Sequence, residues 1–140
     1  MFLKQRPDIQ VISFDIMDHS YARAGKGYID LHYPGMHTLI EGSSHETLPK
    51  FYEDCPNVRF DLIFIDGDHS YPGAKKDILD MAHFATSDTL VIMDDLHLAR
   101  VRNAWNECIE KGIIEQLEIY SQRENRRTWA LGKYLNRGVE

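Results

Sequence analysis

Residues 61–71, DLIFIDGDHSY, run four apolar side chains directly into two carboxylates, a glycine and an imidazole. Carboxylate oxygens are the hard donors that Mg²⁺ and similar cations prefer. Imidazole is the side chain that takes up and returns a proton near neutral pH. The pattern repeats at residues 89–95, TLVIMDD, where a second apolar run ends in Asp94 and Asp95, with His97 close behind. Asp66, Asp94 and Asp95 are therefore a candidate set of metal ligands, because three acids at neighbouring strand ends repel one another unless a cation or a basic ligand lies among them. The alternative for each is capping a helix or facing solvent. His69, three residues beyond Asp66, is the candidate general base. Asp68 reads first as the cap of the helix that follows. His97 reads first as an ordinary first-turn helix residue, with a second base or a ligand as its competing roles.

These groups need elements that deliver them to one place. Leu62, Ile63, Phe64 and Ile65 have the unbroken apolar character of a central parallel strand buried on both faces. In open α/β sheets, ligands bind beyond the carboxyl ends of such strands. Residues 9–14 form an earlier strand ending at Asp15, which resembles the acid that accepts hydrogen bonds from a ribose in nucleotide-binding sheets. Residues 38–41 form the next strand, and Glu41, Gly42 and Ser43 fall where an adenine edge would lie if Asp15 held the sugar; Asp66 is counted with this cofactor edge as well. Residues 20–33 fit a helix with Tyr21, Ala24, Tyr28, Leu31 and His32 on one face. Ser43-x-x-Glu46 has capping-box spacing and opens another helix, which ends near Cys55. A helix over residues 72–85 buries Ala74, Ile78, Met81 and Ala82. The next repeats apolar residues at Leu98, Val101, Trp105, Cys108 and Ile109 and stops at Gly112. Residues 117–120 and 128–134 are strands joined by a short polar loop, hence antiparallel. Residues 1–5 read as the tail of a helix.

With 43% hydrophobic residues in 140, the chain reads as a single domain with its own core. Its 16 Lys and Arg against 22 Asp and Glu, a formal charge of −6, argue against a nucleic-acid partner held by electrostatics. Arg123, Arg126 and Arg127 read as a solvated loop of the terminal hairpin. No apolar run reaches the roughly 18 residues a membrane span needs, and the N-terminus lacks a signal-peptide core. Cys55 and Cys108 read as reduced thiols. The expectation is a soluble cytoplasmic protein.

The segments ISFD, LIEGSS, FDLIFIDGDHSYPGAKKDI and LVIMDD, with VRNAW behind, give the chain a resemblance to class I S-adenosylmethionine-dependent methyltransferases. It is most similar to the small-molecule O-methyltransferases of the methyltransferase 24 type, over residues 9–135. It also resembles the magnesium-dependent sugar O-methyltransferases of macrolide biosynthesis, in which an Asp at one strand end and an acid pair at the next bind metal while a His three residues after the Asp acts as base. That resemblance implies Asp66, Asp94 and Asp95 as ligands of Mg²⁺ or another divalent cation and His69 as base. It further implies S-adenosylmethionine as cofactor and a small-molecule hydroxyl as substrate. The implied fold is α/β and Rossmann-like, a doubly wound, mostly parallel sheet with helices on both faces and a C-terminal antiparallel hairpin.

The family's first strand and its glycine-rich loop have no counterpart here, and Gly25-x-Gly27 lies inside a helical pattern. Three arrangements follow: a fragment of a longer enzyme, a sheet closed by pairing the strands that end at Asp15 and Asp66, or an element lent by a second copy in a homodimer. Two other function classes compete with methyl transfer: a non-catalytic binding or dimerisation module, and a metal-dependent hydrolase using the same acids and His69.

Overall fold

The computed structural model describes Arg6 and residues 8–135, so the helical tail read over residues 1–5 lies outside the described residues. The chain divides into two compact units, residues 1–48 and 49–140.

The first unit is a strand–helix–strand unit. β1 (Val11–Asp15) leads through α1 (Ser20–His32) to β2 (His37–Glu41), and the strands pair in parallel with Asp15 opposite Glu41. Gly25 and Gly27 lie within α1, and Gly35, at φ +73°, turns the chain out of it. The stripe of Tyr21, Tyr28 and Leu31 is present but faces solvent, with Leu31 77% exposed and no residue of the helix buried. Helical spacing therefore fixed the helix, and no neighbouring element covers its apolar side. Across the strand pair, His37 Nε2 meets Ser13 Oγ at 2.9 Å, and partial burial, with Lys26 nearby, keeps the imidazole below its usual pKa. α2 (Ser44–Asp54) starts where the Ser43 carbonyl accepts from the amides of Glu46 and Thr47, at the position of the expected capping box.

The second unit holds a four-stranded sheet in the order β3 (Leu62–Ile65), β4 (Leu90–Met93), β6 (Thr128–Tyr134), β5 (Ile114–Ser121). β3 and β4 are parallel, whereas β6 runs against both β4 and β5. The expected mostly parallel, Rossmann-like architecture with one reversed strand near the sheet edge is what forms. α3 (Tyr71–Met81), continued by a short 3-10 turn (Ala82–Phe84), and α4 (Ala99–Glu110) cover the face that carries Ile63, Ile65, Val91 and Met93. Ala74, Ile78, Val101, Ala104, Trp105 and Cys108 complete this core. Each large apolar side chain buried there contributes about 1.5–3 kcal/mol relative to exposure. Gly112, at φ +67°, ends α4 as expected.

Two expectations are corrected. β3 is not buried on both faces: Ile63 and Ile65 are, but Leu62 and Phe64 are 37% and 47% exposed. Among the described residues β3 is the edge strand of its sheet, paired with β4 alone, and the face that carries Leu62 and Phe64 is left partly open. The strands ending at Asp15 and Asp66 do not pair either, since β1 and β3 belong to separate sheets.

The register of β3 on β4 is fixed from below. Phe60 donates to the Phe84 carbonyl at 2.9 Å, Leu90 donates to the Asp61 carbonyl at 3.0 Å, and the buried Thr89 hydroxyl donates to the Phe60 carbonyl at 2.6 Å. The second unit is tightly packed against backbone at Gly132 of β6, where a Cβ would lie 2.8 Å from the Glu115 carbonyl oxygen and 3.1 Å from the Trp105 ring. Gly132→Ala is therefore expected to lower the unfolding free energy by about 1–3 kcal/mol, as overpacking does when the obstruction is backbone. Equilibrium urea denaturation reads this directly.

Candidate active site

β3 and β4 lie in parallel with Ile65 opposite Met93, and the Asp94 amide donates to the Ile65 carbonyl at 3.1 Å. The next residues of both strands, Asp66 and Asp94, must therefore emerge side by side at the carboxyl edge. Past that point the two chains diverge. Asp95 takes a left-handed conformation at φ +56°, uncommon for a residue other than glycine, and its amide donates to Asp94 Oδ1 at 2.8 Å. A backbone outlier of this kind is sustained only where its surroundings fix it, and such residues gather at functional sites.

The consequence is which acids meet. Asp66, His69 and Asp95 each offer a ligand atom, and these atoms lie within 4.8 Å of one another. His69 Nε2 is 2.8 Å from Asp95 Oδ2 and 3.9 Å from Asp66 Oδ1. His97 Nδ1 approaches the other Asp95 oxygen at 3.7 Å, so the Asp95 carboxylate lies between two imidazoles. Asp94 is not among the converging atoms, because its Oδ1 is taken by the Asp95 amide. It acts on the group through its charge. Partial burial first, then the charges of Asp95 and Asp94, hold the Asp66 carboxyl above the usual carboxylate range, and His69 draws it only partly back.

The donor set suits a divalent cation. Opposite oxygens of a Mg²⁺ octahedron are about 4.2 Å apart, and the ligand atoms here all lie within 4.8 Å of one another on side chains of which Asp66 and His69 are half-exposed. Two carboxylates facing one centre also supply the charge that a hard cation requires, leaving other positions to water or substrate oxygens.

A recess of about 360 Å³ opens beside His69, with Leu98, Ala99 and Arg100 at the start of α4 as its other walls. The sequence reading missed these three. Their only local signal is that they follow the acid pair, and helical periodicity accounts for Leu98 without any ligand.

In the first unit, Asp15 and Glu41 stand opposite one another at the ends of β1 and β2. Asp15 Oδ1 accepts from the Met17 amide at 2.7 Å, which holds the turn after β1, and the Gly42 amide donates to the Asp15 carbonyl at 2.9 Å. Glu41 is paired with Arg23 at 2.7 Å. Gly42, at φ +139°, has no room for a side chain, since a Cβ would meet Thr47 at 2.9 Å. Ser43 follows at the start of α2.

The methyltransferase 24 family, described as "Methyltransferase domain", matches residues 2–96, more than half of the chain. The protein belongs to that family. It is thus a class I S-adenosylmethionine-dependent methyltransferase by descent. Among solved structures, the apo form of CalS11, a TDP-rhamnose 3′-O-methyltransferase of calicheamicin biosynthesis, superposes with TM-score 0.68 at 16% identity, over 90% of this chain and 60% of that one. An O-methyltransferase from Bacillus cereus in complex with SAH gives 0.72 at 13% identity, over 90% of this chain and 63% of that one. A putative O-methyltransferase from Klebsiella pneumoniae gives 0.71 at 19%, over 89% and 61%. At such identities the likeness establishes the fold. The chain spans about 60% of the length of these structures. No curated protein matches it in sequence. Among the described residues, no helix is long and apolar enough to cross a membrane.

The raised Asp66 pKa has a measurable sign. An acid whose folded pKa lies above its unfolded value binds protons more tightly when folded, so between the two values stability falls as pH rises. Asp66→Asn removes that penalty. With chelator present, the variant is expected to melt above the wild type at pH 7, and the difference should vanish as pH falls below about 3.9, the ordinary aspartate value. Added Mg²⁺ is expected to raise the melting temperature of the wild type and to leave Asp66→Asn unmoved.

Proposed function

We propose that the protein is an S-adenosylmethionine-dependent O-methyltransferase that methylates a hydroxyl of a small molecule with the help of a divalent cation. The observation that carries this reading is the Asp66, His69 and Asp95 cluster, whose His69 also lines a recess of about 360 Å³.

His69 Nε2 lies 2.8 Å from Asp95 Oδ2, and the imidazole lines the recess. In this reading its unprotonated ring nitrogen accepts the proton of an acceptor hydroxyl seated there. Asp95 orients the ring and stabilises the imidazolium that results, the role that a carboxylate behind a histidine plays in other proton-transfer sites. Asp66 and Asp95 would hold the cation, with Asp94 adding charge behind them, and a bound cation would lower the pKa of a hydroxyl brought near it. S-adenosylmethionine would supply the methyl group to that oxygen, with S-adenosylhomocysteine as the leaving product. Leu98 and Ala99 give the recess an apolar wall that excludes water from the developing alkoxide.

For the cofactor we assign, in the first unit, Asp15 to the ribose hydroxyls and Glu41, Gly42 and Ser43 to the adenine edge. Asp15 is exposed at a strand end, and the φ of Gly42 lets the backbone after β2 approach a ligand closely. The net charge of −6 favours a small-molecule acceptor over nucleic acid. The free thiols Cys55 and Cys108 suit a reducing cytoplasm.

His69→Ala is expected to lower single-turnover methyl transfer by about 10²–10⁴-fold while Mg²⁺ affinity, read by calorimetry, stays within a few-fold. Asp95→Asn is expected to damage both. If instead His69→Ala removes Mg²⁺ binding, the imidazole is a third ligand and the base lies elsewhere. Cation binding without any binding of S-adenosylmethionine would favour hydrolysis over methyl transfer.

A further inference from the structure

Asp66 and His69 sit on an exposed turn that contains a glycine, yet a cation site works only when its donors are held to within about half an ångström. Two aspartates outside the cation group are packed onto that turn and onto the helix behind it. Asp68 Oδ1 accepts from the Ser70 amide at 2.7 Å, the Asp68 carboxyl fills the place a Cβ on Gly73 would take, and Ser70 Oγ accepts from the Gly73 amide at 3.1 Å, capping α3. This anchors the far end of the turn. The near end is met by Asp77, one and a half turns into α3, whose Oδ2 is 2.6 Å from where a Cβ on Gly67 would lie.

Asp77 is an odd residue for its position. It is 4% exposed and flanked in the helix by the core residues Ala74 and Ile78. A buried carboxylate must be compensated by its contacts, where an apolar side chain would need no compensation. A residue that breaks the local rule for a core position is expected where function requires it. Here the buried acid abuts the one glycine between the two aspartates of the site turn.

Resting on the cation-site reading above, we propose that Asp77 is a positioning residue that holds the Asp66–His69 turn against α3 and thereby sets the spacing of the Asp66 carboxylate and the His69 imidazole. Gly67 is a glycine because the Asp77 carboxyl occupies its side-chain space. The contact works in one direction only: Asp77 touches neither cation nor substrate and acts through the backbone at Gly67.

The test is a double-variant cycle of Asp77→Ala, Gly67→Ala and the combination, titrated with Mn²⁺ and followed by the electron paramagnetic resonance of the free ion. Each single variant is expected to weaken Mn²⁺ binding about tenfold, as loss of a residue supporting a metal ligand does. The combination should bind no more weakly than either single variant, because the added methyl enters the space the carboxyl vacated. A Kd for Asp77→Ala within about twofold of wild type, or losses that add in the combination, overturns the proposal, whatever happens to the melting temperature. Asp77→Asn, which preserves volume, guards against a failure of the Ala variant to fold. Amide exchange over residues 66–70 should quicken about tenfold in Gly67→Ala, whose methyl pushes the turn off the Asp77 carboxyl, and stay within about twofold in Asp77→Asn, while residues 90–93 keep their protection in both; an equal change in both segments, no change in Gly67→Ala, or a tenfold change in Asp77→Asn overturns the role. If the wild type takes up no Mn²⁺, the cation reading fails by itself, and the exchange experiment alone decides whether Asp77 holds the turn.

Discussion

The second unit is arranged around the parallel register of β3 on β4. Pairing Ile65 with Met93 forces the residues that follow, all acids, to leave the sheet at one edge. Carboxylates so placed repel, and partial burial at the edge makes the repulsion stronger than water would. The raised Asp66 pKa reflects its partial burial first and that repulsion second. The site is thus a standing cost to the fold, and the core beneath it offsets that cost: Ile63, Ile65, Val91 and Met93 are packed under α3 and α4, with Trp105 and Phe84 fully buried. Stability and chemistry are divided between the two ends of the same strands.

Much of this was legible in the sequence because the signals are local. An apolar run that ends in Asp-Gly-Asp-His can hardly be read as anything but a strand delivering polar groups, and Gly112 and Gly35 stop helices through their own backbone freedom. The antiparallel hairpin followed from loop length alone. What the sequence could not show depends on neighbours. Leu62 and Phe64 look like core residues, and would be core if a strand or helix lay over them, but burial is decided by what packs against a face. The same holds for the exposed stripe of α1. Asp94 and Asp95 could not be told apart either, since the distinction rests on a backbone angle at Asp95 and on one hydrogen bond between the two.

Asp77 marks a different kind of illegibility. Helical spacing places it beside Ile78 without saying that it is buried, and an acid in KKDILD reads naturally as solvated. Only the three-dimensional contact with Gly67 separates it from Asp80, an acid on the same helix that pairs with Lys76 one turn before it. The two glycines and two aspartates of residues 67–77 interlock, so the local sequence of the turn and that of the helix constrain each other.

Asp66 and Asp95, though near neighbours, have environments that push them into different roles, the pattern by which paired carboxylates divide labour in other sites. Asp95 has the His69 imidazole at 2.8 Å and His97 at 3.7 Å on its other side. Its left-handed backbone is what aims it there. Asp66 has the weaker hold, with His69 at 3.9 Å and two like charges close by, so its ionised form is the one that a cation would most stabilise. Binding free energy is largest where the free state is most strained electrostatically. On the proposed reading, Asp66 is therefore the ligand from which a cation would gain most, and Asp95 the one that would couple cation to base.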